Sequence, residues 1–279
     1  MTVKKGQSDP YQTYAHGGWV VYAHRSYPRS IVNLAVFVPE TATLEPVQAS
    51  PYARVFTGFV EAEGATYPVY VKKYLYRSVV DRLKHLVRAG RARRNHAASA
   101  MLIRYGFGCP VVIATACYRP WLAHVPGLRN LPYCRASSTV TLAVTDAIAL
   151  NLYFNGIEGL ARRRRFLQTL GCEIGRLHGH GIFHGDLRVG NVLVQEAGDT
   201  WRFWLLDNER TVQFGILPER RRIKNLVQLH LFVKNLTDSD RWRFFHAYCQ
   251  AGGIDKSHHL SLIRQVRERT AQREAARAR

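Results

Sequence analysis

Three residues, Asp186, Asn191 and Asp207, have the types and the order that phosphoryl transfer asks for. That chemistry needs a carboxylate at the attacking hydroxyl, a neutral amide on a metal ion and a second carboxylate on Mg2+. The first two stand in His184-Gly185-Asp186-Leu187-Arg188-Val189-Gly190-Asn191, which follows the pattern H-x-D-L-x-x-x-N. The apolar runs Val192-Leu193-Val194 and Phe203-Trp204-Leu205-Leu206 read as two short buried strands. Strand, turn and strand would bring Asn191 and Asp207 together on one metal site. An isolated H-x-D often arises by chance, and a carboxylate after a strand commonly caps a turn. The agreement of loop, amide and downstream carboxylate weighs against both readings.

Leu177-His178-Gly179-His180-Gly181-Ile182-Phe183-His184-Gly185-Asp186-Leu187, followed by Leu205-Leu206-Asp207-Asn208-Glu209-Arg210, resembles the bacterial lipopolysaccharide core kinases. These are the Kdo and heptose kinases of the protein-kinase-like superfamily, which carry H-x-D-L and end the metal strand in D-x-x-R instead of D-F-G. The likeness runs from about residue 55 to about residue 250. It implies ATP as phosphoryl donor, Mg2+ held by Asn191 and Asp207, Asp186 as the catalytic residue, and a sugar hydroxyl of the lipopolysaccharide inner core as acceptor. Heptose and Kdo are both open.

The elements around these motifs are expected in kinase order. Residues 19–23 and 31–38 are strand-like, 39–51 reads as a loop, and 55–60 with 69–74 as a hairpin around Glu61-Ala62-Glu63-Gly64-Ala65. No G-x-G-x-x-G accompanies it, so a glycine-rich phosphate cradle is unsupported. Val69-Tyr70-Val71-Lys72-Lys73-Tyr74 places Lys72 and Lys73 on opposite faces of one strand, so only one can serve the nucleotide. The resemblance favours Lys72. It also implies a helix glutamate as partner of that lysine, and here Asn95 stands at the position; no acidic residue occurs between Asp81 and Asp146. Asp81, Glu61 and Glu63 are the candidate substitutes. Residues 139–145 form a β-branched run leading to Asp146, which reads as a helix N-cap.

Phe166, Leu167, Leu170, Ile174 and Leu177 recur at helical spacing and end near Gly179 and Gly181, the expected core helix before the loop. His178, His180 and His184 invite a zinc reading, against which His184 has a structural task in holding the loop. Gly185 stands where many regulated kinases carry the arginine that senses a phosphorylated activation loop, so such a switch is not expected. The run Arg162-Arg163-Arg164-Arg165 reads as a solvated face or a docking patch, and 257–279 as an amphipathic helix around Leu260, Ile263 and Val266 with a frayed end.

Lys and Arg outnumber Asp and Glu 40 to 20, a formal net charge of +20. Such a field gathers polyanions. No nucleic-acid-binding motif accompanies it, so no specific nucleic acid is expected; an anionic glycolipid such as the lipopolysaccharide core suits the same field. The cysteines at 109, 117, 134, 172 and 249 form no C-x-x-C pair, no apolar run approaches the eighteen or so residues of a membrane span, and the start is polar. The expected location is cytoplasmic, with peripheral contact at the inner membrane as the option.

The expected fold is α+β and protein-kinase-like: one bilobal catalytic domain with a β-rich N-lobe over 1–137 and a mainly α-helical C-lobe over 138–279 that ends in a basic tail. The expected activity is ATP-dependent phosphorylation of an inner-core sugar. The alternatives are a pseudokinase or a nucleotide- or lipid-binding module without transfer, and a protein Ser/Thr/Tyr kinase. Absence of an A-P-E segment counts against the last.

Overall fold

The computed structural model describes residues 10–36, 44–48, 51–76, 88–119, 125, 134–230 and 236–278. They divide into two compact units, 1–99 with 110–145 and 100–109 with 146–279.

The first unit is built on a seven-stranded antiparallel sheet in the order β1-β2-β6-β7-β5-β4-β3. Its strands are β1 (Tyr11–His16), β2 (Trp19–His24), β3 (Glu45–Val47), β4 (Ala53–Ala62), β5 (Ala65–Tyr74), β6 (Val112–Tyr118) and β7 (Ala136–Leu142). The expected hairpin is β4 and β5, longer than the pattern suggested. Its two-residue turn places Glu63 at φ 51° and Gly64 at φ 76°, the left-handed pair that matches the twist of a tight hairpin. Because β7 pairs with both β5 and β6, it stays with this sheet in the first unit.

One expectation fails here. The run 31–38 is not a strand: Arg29–Asn33 is a short helix, α1, entered from Pro28. Ile31, Val32, Ala35 and Val36 fall on one side at helical spacing and are buried on Val21, Val69, Val71 and Ile113 of the sheet. Pro28 is the N-cap, and its carbonyl accepts the first helical hydrogen bond from Val32 N–H at 3.2 Å; burial of this apolar set on the sheet outweighs the β-branched composition. β1, β3 and β6 lie outside the strands read from the pattern, and residues 37 and 38 lie outside the described residues.

Helix α2 (Arg91–Arg104) begins in the first unit and ends in the second. The second unit continues with β8 (Ala147–Ala149), α3 (Leu150–Asn155), α4 (Leu160–Gly179), β9 (Ile182–Phe183), β10 (Val192–Ala197), β11 (Thr200–Leu205), β12 (Val212–Gln213), α5 (Glu219–His230), α6 (Asp238–Ala251) and α7 (His259–Ala278). The five apolar residues read from helical spacing are all buried on α4. Its outer face packs on α6 at very short range, because a Cβ on Gly171 or Gly175 would run into the main-chain oxygens of Phe244 and Tyr248. Asp146 is not the N-cap of the helix that follows it. It occupies a turn at φ 54°, and Ala149 is the N-cap of α3. On α7 the inward residues are Leu262 and Val266, whereas Leu260 is exposed. Arg163 is spent on Asp240 at 2.8 Å, within the capping box that starts α6, which removes it from any docking patch.

Candidate functional site

β10 and β11 pair antiparallel with Val192 opposite Leu205. The residues flanking that pair are therefore adjacent: Leu206 N–H donates to Asn191 O at 2.9 Å, and Asp207 follows at φ 56°. A non-glycine residue in the left-handed region is uncommon and clusters at functional sites. Asn191 closes a 3-10 turn, Val189–Asn191, and its Nδ2 donates to Asp186 O at 2.8 Å and to Asp186 Oδ2 at 3.3 Å. The amide nitrogen is thus committed within the loop, and Oδ1 is the atom Asn191 has to offer a cation. An amide oxygen and a carboxylate are hard donors of the kind Mg2+ takes.

Asp186 is partly exposed, and its two oxygens differ. Oδ1 accepts from Arg188 Nε at 2.7 Å and from Gln228 Nε2 at 3.2 Å. Among the described residues, Oδ2 receives Asn191 Nδ2 alone. Oδ2 is the atom better placed to take a proton.

The loop hangs on a buried polar chain. His184 Nε2 donates to Leu206 O at 3.0 Å, and its Nδ1 accepts from Asp186 N–H at 3.3 Å. Asn225 on α5 grips the His184 backbone, accepting its N–H at 3.2 Å and donating to its carbonyl at 2.6 Å. Asn225 Oδ1 also accepts from His178 Nε2 at 3.1 Å; His178 Nδ1 then accepts from Tyr248 O–H at 2.8 Å, whose oxygen accepts from Arg222 Nη1 at 2.8 Å. This donor order needs both rings neutral. Burial, the leading cause, with Arg222 beside it, pushes His178 down to about 3, and burial likewise lowers His184. Both nitrogens of each ring are engaged within the protein, and no group of three His, Cys, Asp or Glu among the described residues could hold a metal. The zinc reading has no support in this geometry.

A depressed histidine contributes stability that is present above its unfolded value and lost as pH falls toward the folded one. Below pH 6.5 the unfolded chain takes up protons that His178 refuses, at about 1.4 kcal/mol per pH unit. Denaturant midpoints should fall steadily from pH 7 to pH 5. A flat profile would mean that the buried rings accept protons in place.

Sequence reasoning missed Asn225, Gln228, Arg222 and Tyr248. A signal existed on α5, where Asn225 and Gln228 interrupt the buried apolar set Ile223, Leu226, Val227 and Leu229. Gly185 also has a steric role that its sequence did not announce: a Cβ there would collide with Arg210 Cβ and the Arg210 main chain, so the D-x-x-R arginine leaves space for glycine only.

In the first unit, Lys72 and Lys73 do lie on opposite faces. Lys72 pairs with Thr139, which pairs with Thr115, and Thr115 lies 3.5 Å from His96 of α2. Lys73 pairs with Ser138, whose hydroxyl donates to Ala35 O beyond α1. Lys72 is therefore the lysine on the α2 face, with Nζ 5.2 Å from the Tyr74 ring centroid; Arg91 of α2 lies 5.0 Å from the same ring. Asn95 shares the buried face of α2, one turn beyond Arg91. Register excludes two candidate partners. Lys72 stands opposite Val55 but Glu61 opposite Thr66, and at about 3.3 Å per residue that separates Glu61, and Glu63 beyond it, from Lys72 by roughly 20 Å. Asp81 lies outside the described residues.

Comparison with known proteins bears out the resemblance. The model of the Lipopolysaccharide kinase (Kdo/WaaP) family matches residues 126–248, which include the whole loop, Asp207 and Asn225. A 3-deoxy-D-manno-octulosonic acid kinase of Pasteurella multocida (strain Pm70) is 38% identical over 69 residues, 24% of this chain, and the match spans 28% of that protein's length. Among solved structures, WaaP in complex with acyl carrier protein aligns over 87% of this chain and 92% of that one, with a TM-score of 0.53 at 18% identity. That likeness shows the fold, the α+β class with a sheet-based N-terminal part and a helical C-terminal part.

Proposed function

From the match of residues 126–248 to the Lipopolysaccharide kinase (Kdo/WaaP) family, we propose that this chain is a kinase that phosphorylates a sugar hydroxyl, of heptose or Kdo, in the lipopolysaccharide inner core. The observation that carries the reading is the convergence of Asp186, Asn191 and Asp207 at one end of the β10–β11 pair, with Asp186 Oδ2 left to face an acceptor. Mg-ATP would supply the electrophilic phosphoryl group and the charge neutralisation. Asp186 Oδ2 would accept the hydrogen bond of the acceptor hydroxyl and take its proton as that oxygen bonds to the γ-phosphorus, while the bond from the γ-phosphorus to the β–γ bridging oxygen breaks and ADP leaves. Arg188 and Gln228 hold the other carboxylate oxygen, which fixes the direction of Oδ2. Asn191 Oδ1 and the Asp207 carboxylate would hold Mg2+, and Lys72, on the α2 face, would meet the nucleotide phosphates. Among the described residues no helix is long and apolar enough to cross a membrane.

The test is transfer from ATP to deacylated core oligosaccharide, read as a gain of one phosphate by mass. In a separate calorimetric titration, Asp207→Asn should weaken Mg-ATP binding at least tenfold, since a neutral amide would not offset the charge of a divalent cation. Unchanged Mg-dependent affinity would reduce Asp207 to a strand-end residue. A second reading, nucleotide binding without transfer, draws on Asn95 standing where a carboxylate is expected; it predicts Mg-ATP binding with no phosphorylated product from any acceptor.

A further inference from the structure

Between α5 and α7 runs a groove of about 700 Å³ lined by Arg220, Arg221, Lys224, Arg269 and Arg273, with Val227 and Gln272. We infer that this groove is the seat for the phosphate or carboxylate groups of an anionic glycolipid acceptor, an inference that rests on the kinase reading above. The spacing builds it: Arg220 and Lys224 are one turn apart on α5, Arg269 and Arg273 one turn apart on α7, so two helical faces present cations to one space.

No lining residue is acidic. Glu219, at the start of α5, accepts from Gln265 Nε2 of α7 at 2.7 Å, and Asp186 is taken up by Arg188 and Gln228. The crowding leaves a trace on Lys224, whose ammonium is held below its usual range by burial first and then by Arg221, Arg210 and Arg273; Asp186 opposes the shift. Like charges gathered without a carboxylate favour an anion between them. Arginine forks match phosphate and carboxylate oxygens in pairs, and the volume is that of a small-molecule site.

The groove is also tied to the chemistry. Arg221 and Lys224 lie over the Phe183 ring, at 4.9 Å and 5.5 Å from its centroid, and Phe183 directly precedes His184-Gly185-Asp186. An anion held there borders the residue that meets the acceptor hydroxyl, while Asn191 and Asp207 sit just before β10 and just after β11. Acceptor binding and nucleotide binding are thus separable by mutation.

The experiment titrates the full chain by calorimetry with deacylated, bisphosphorylated core oligosaccharide and, in a second arm, with inorganic phosphate. The double variant Arg220→Glu/Arg273→Glu, and the milder Arg269→Gln/Arg273→Gln in case the first fails to fold, should raise the oligosaccharide Kd at least tenfold. Affinity for Mg-ATP, measured separately, should hold. An unchanged oligosaccharide Kd in a folded variant overturns the inference, and so does inorganic phosphate binding as tightly as the oligosaccharide. If the wild type transfers no phosphate yet the oligosaccharide Kd still rises in the variants, the anion seat stands and the kinase reading falls.

Discussion

Asp186→Asn should lower phosphoryl transfer on the order of 10²–10⁴-fold, the range a positioned general base supplies, while leaving the protein folded. The amide keeps the shape of the carboxylate, and its oxygen can still accept from Arg188 and Gln228. What it loses is the base: with that oxygen on Arg188 and Gln228, an NH2 group stands where Oδ2 faced the acceptor. The loop itself does not depend on that side chain: it is suspended by His184, which reaches Leu206 O, and by Asn225, which holds both polar groups of the His184 backbone. Arg188 is half exposed, so weakening its ion pair costs little. Turnover near the wild-type rate in a variant with an unchanged melting temperature would remove Asp186 from the chemistry.

What could be read in advance follows the range of the interactions involved. The loop, β10, β11 and α4 were legible because each is written in a short stretch: a five-residue step from Asp186 to Asn191, two apolar runs, one helical repeat. The hairpin of β4 and β5 was legible for the same reason. α1 was misread since Ile31, Val32, Val36 and Val38 suit a strand by composition, and only Pro28 and the spacing of the buried residues argue for a helix. β6 was missed because it is buried on both faces from Val112 to Cys117 and shows no alternation. Least legible was the polar chain from Arg222 through Tyr248, His178 and Asn225 to His184. Its members lie 41 and 70 residues apart in sequence, and no local pattern announces which buried hydroxyl will meet which imidazole. The opposition of Lys72 and Lys73 followed from strand alternation alone; which faced α2 needed the register.

Gly185→Ala should be among the most damaging single methyl additions in the chain. The added Cβ would meet both the Cβ and the main chain of Arg210. Neither side can yield. Residue 185 follows β9, Arg210 closes the 3-10 turn Asn208–Arg210 ahead of β12, and β9 and β12 are paired with Phe183 opposite Val212. Making space means parting that pair or breaking the His184 to Leu206 hydrogen bond. Overpacking against backbone costs about 3 kcal/mol, which at 2–4 °C per kcal/mol for a chain of this size lowers Tm by roughly 6–12 °C. Asp186 is the next residue, and a displacement of about 1 Å at a reacting group costs on the order of 10²-fold in rate. Activity and stability should therefore fall together. Gly190→Ala is the control within the same loop: a Cβ there meets nothing within 4 Å, so the change should stay within about 0.5 kcal/mol. If Gly185→Ala instead melts and turns over like Gly190→Ala, the close approach of Arg210 is not what demands glycine, and the missing arginine at this position returns to being a matter of regulation alone.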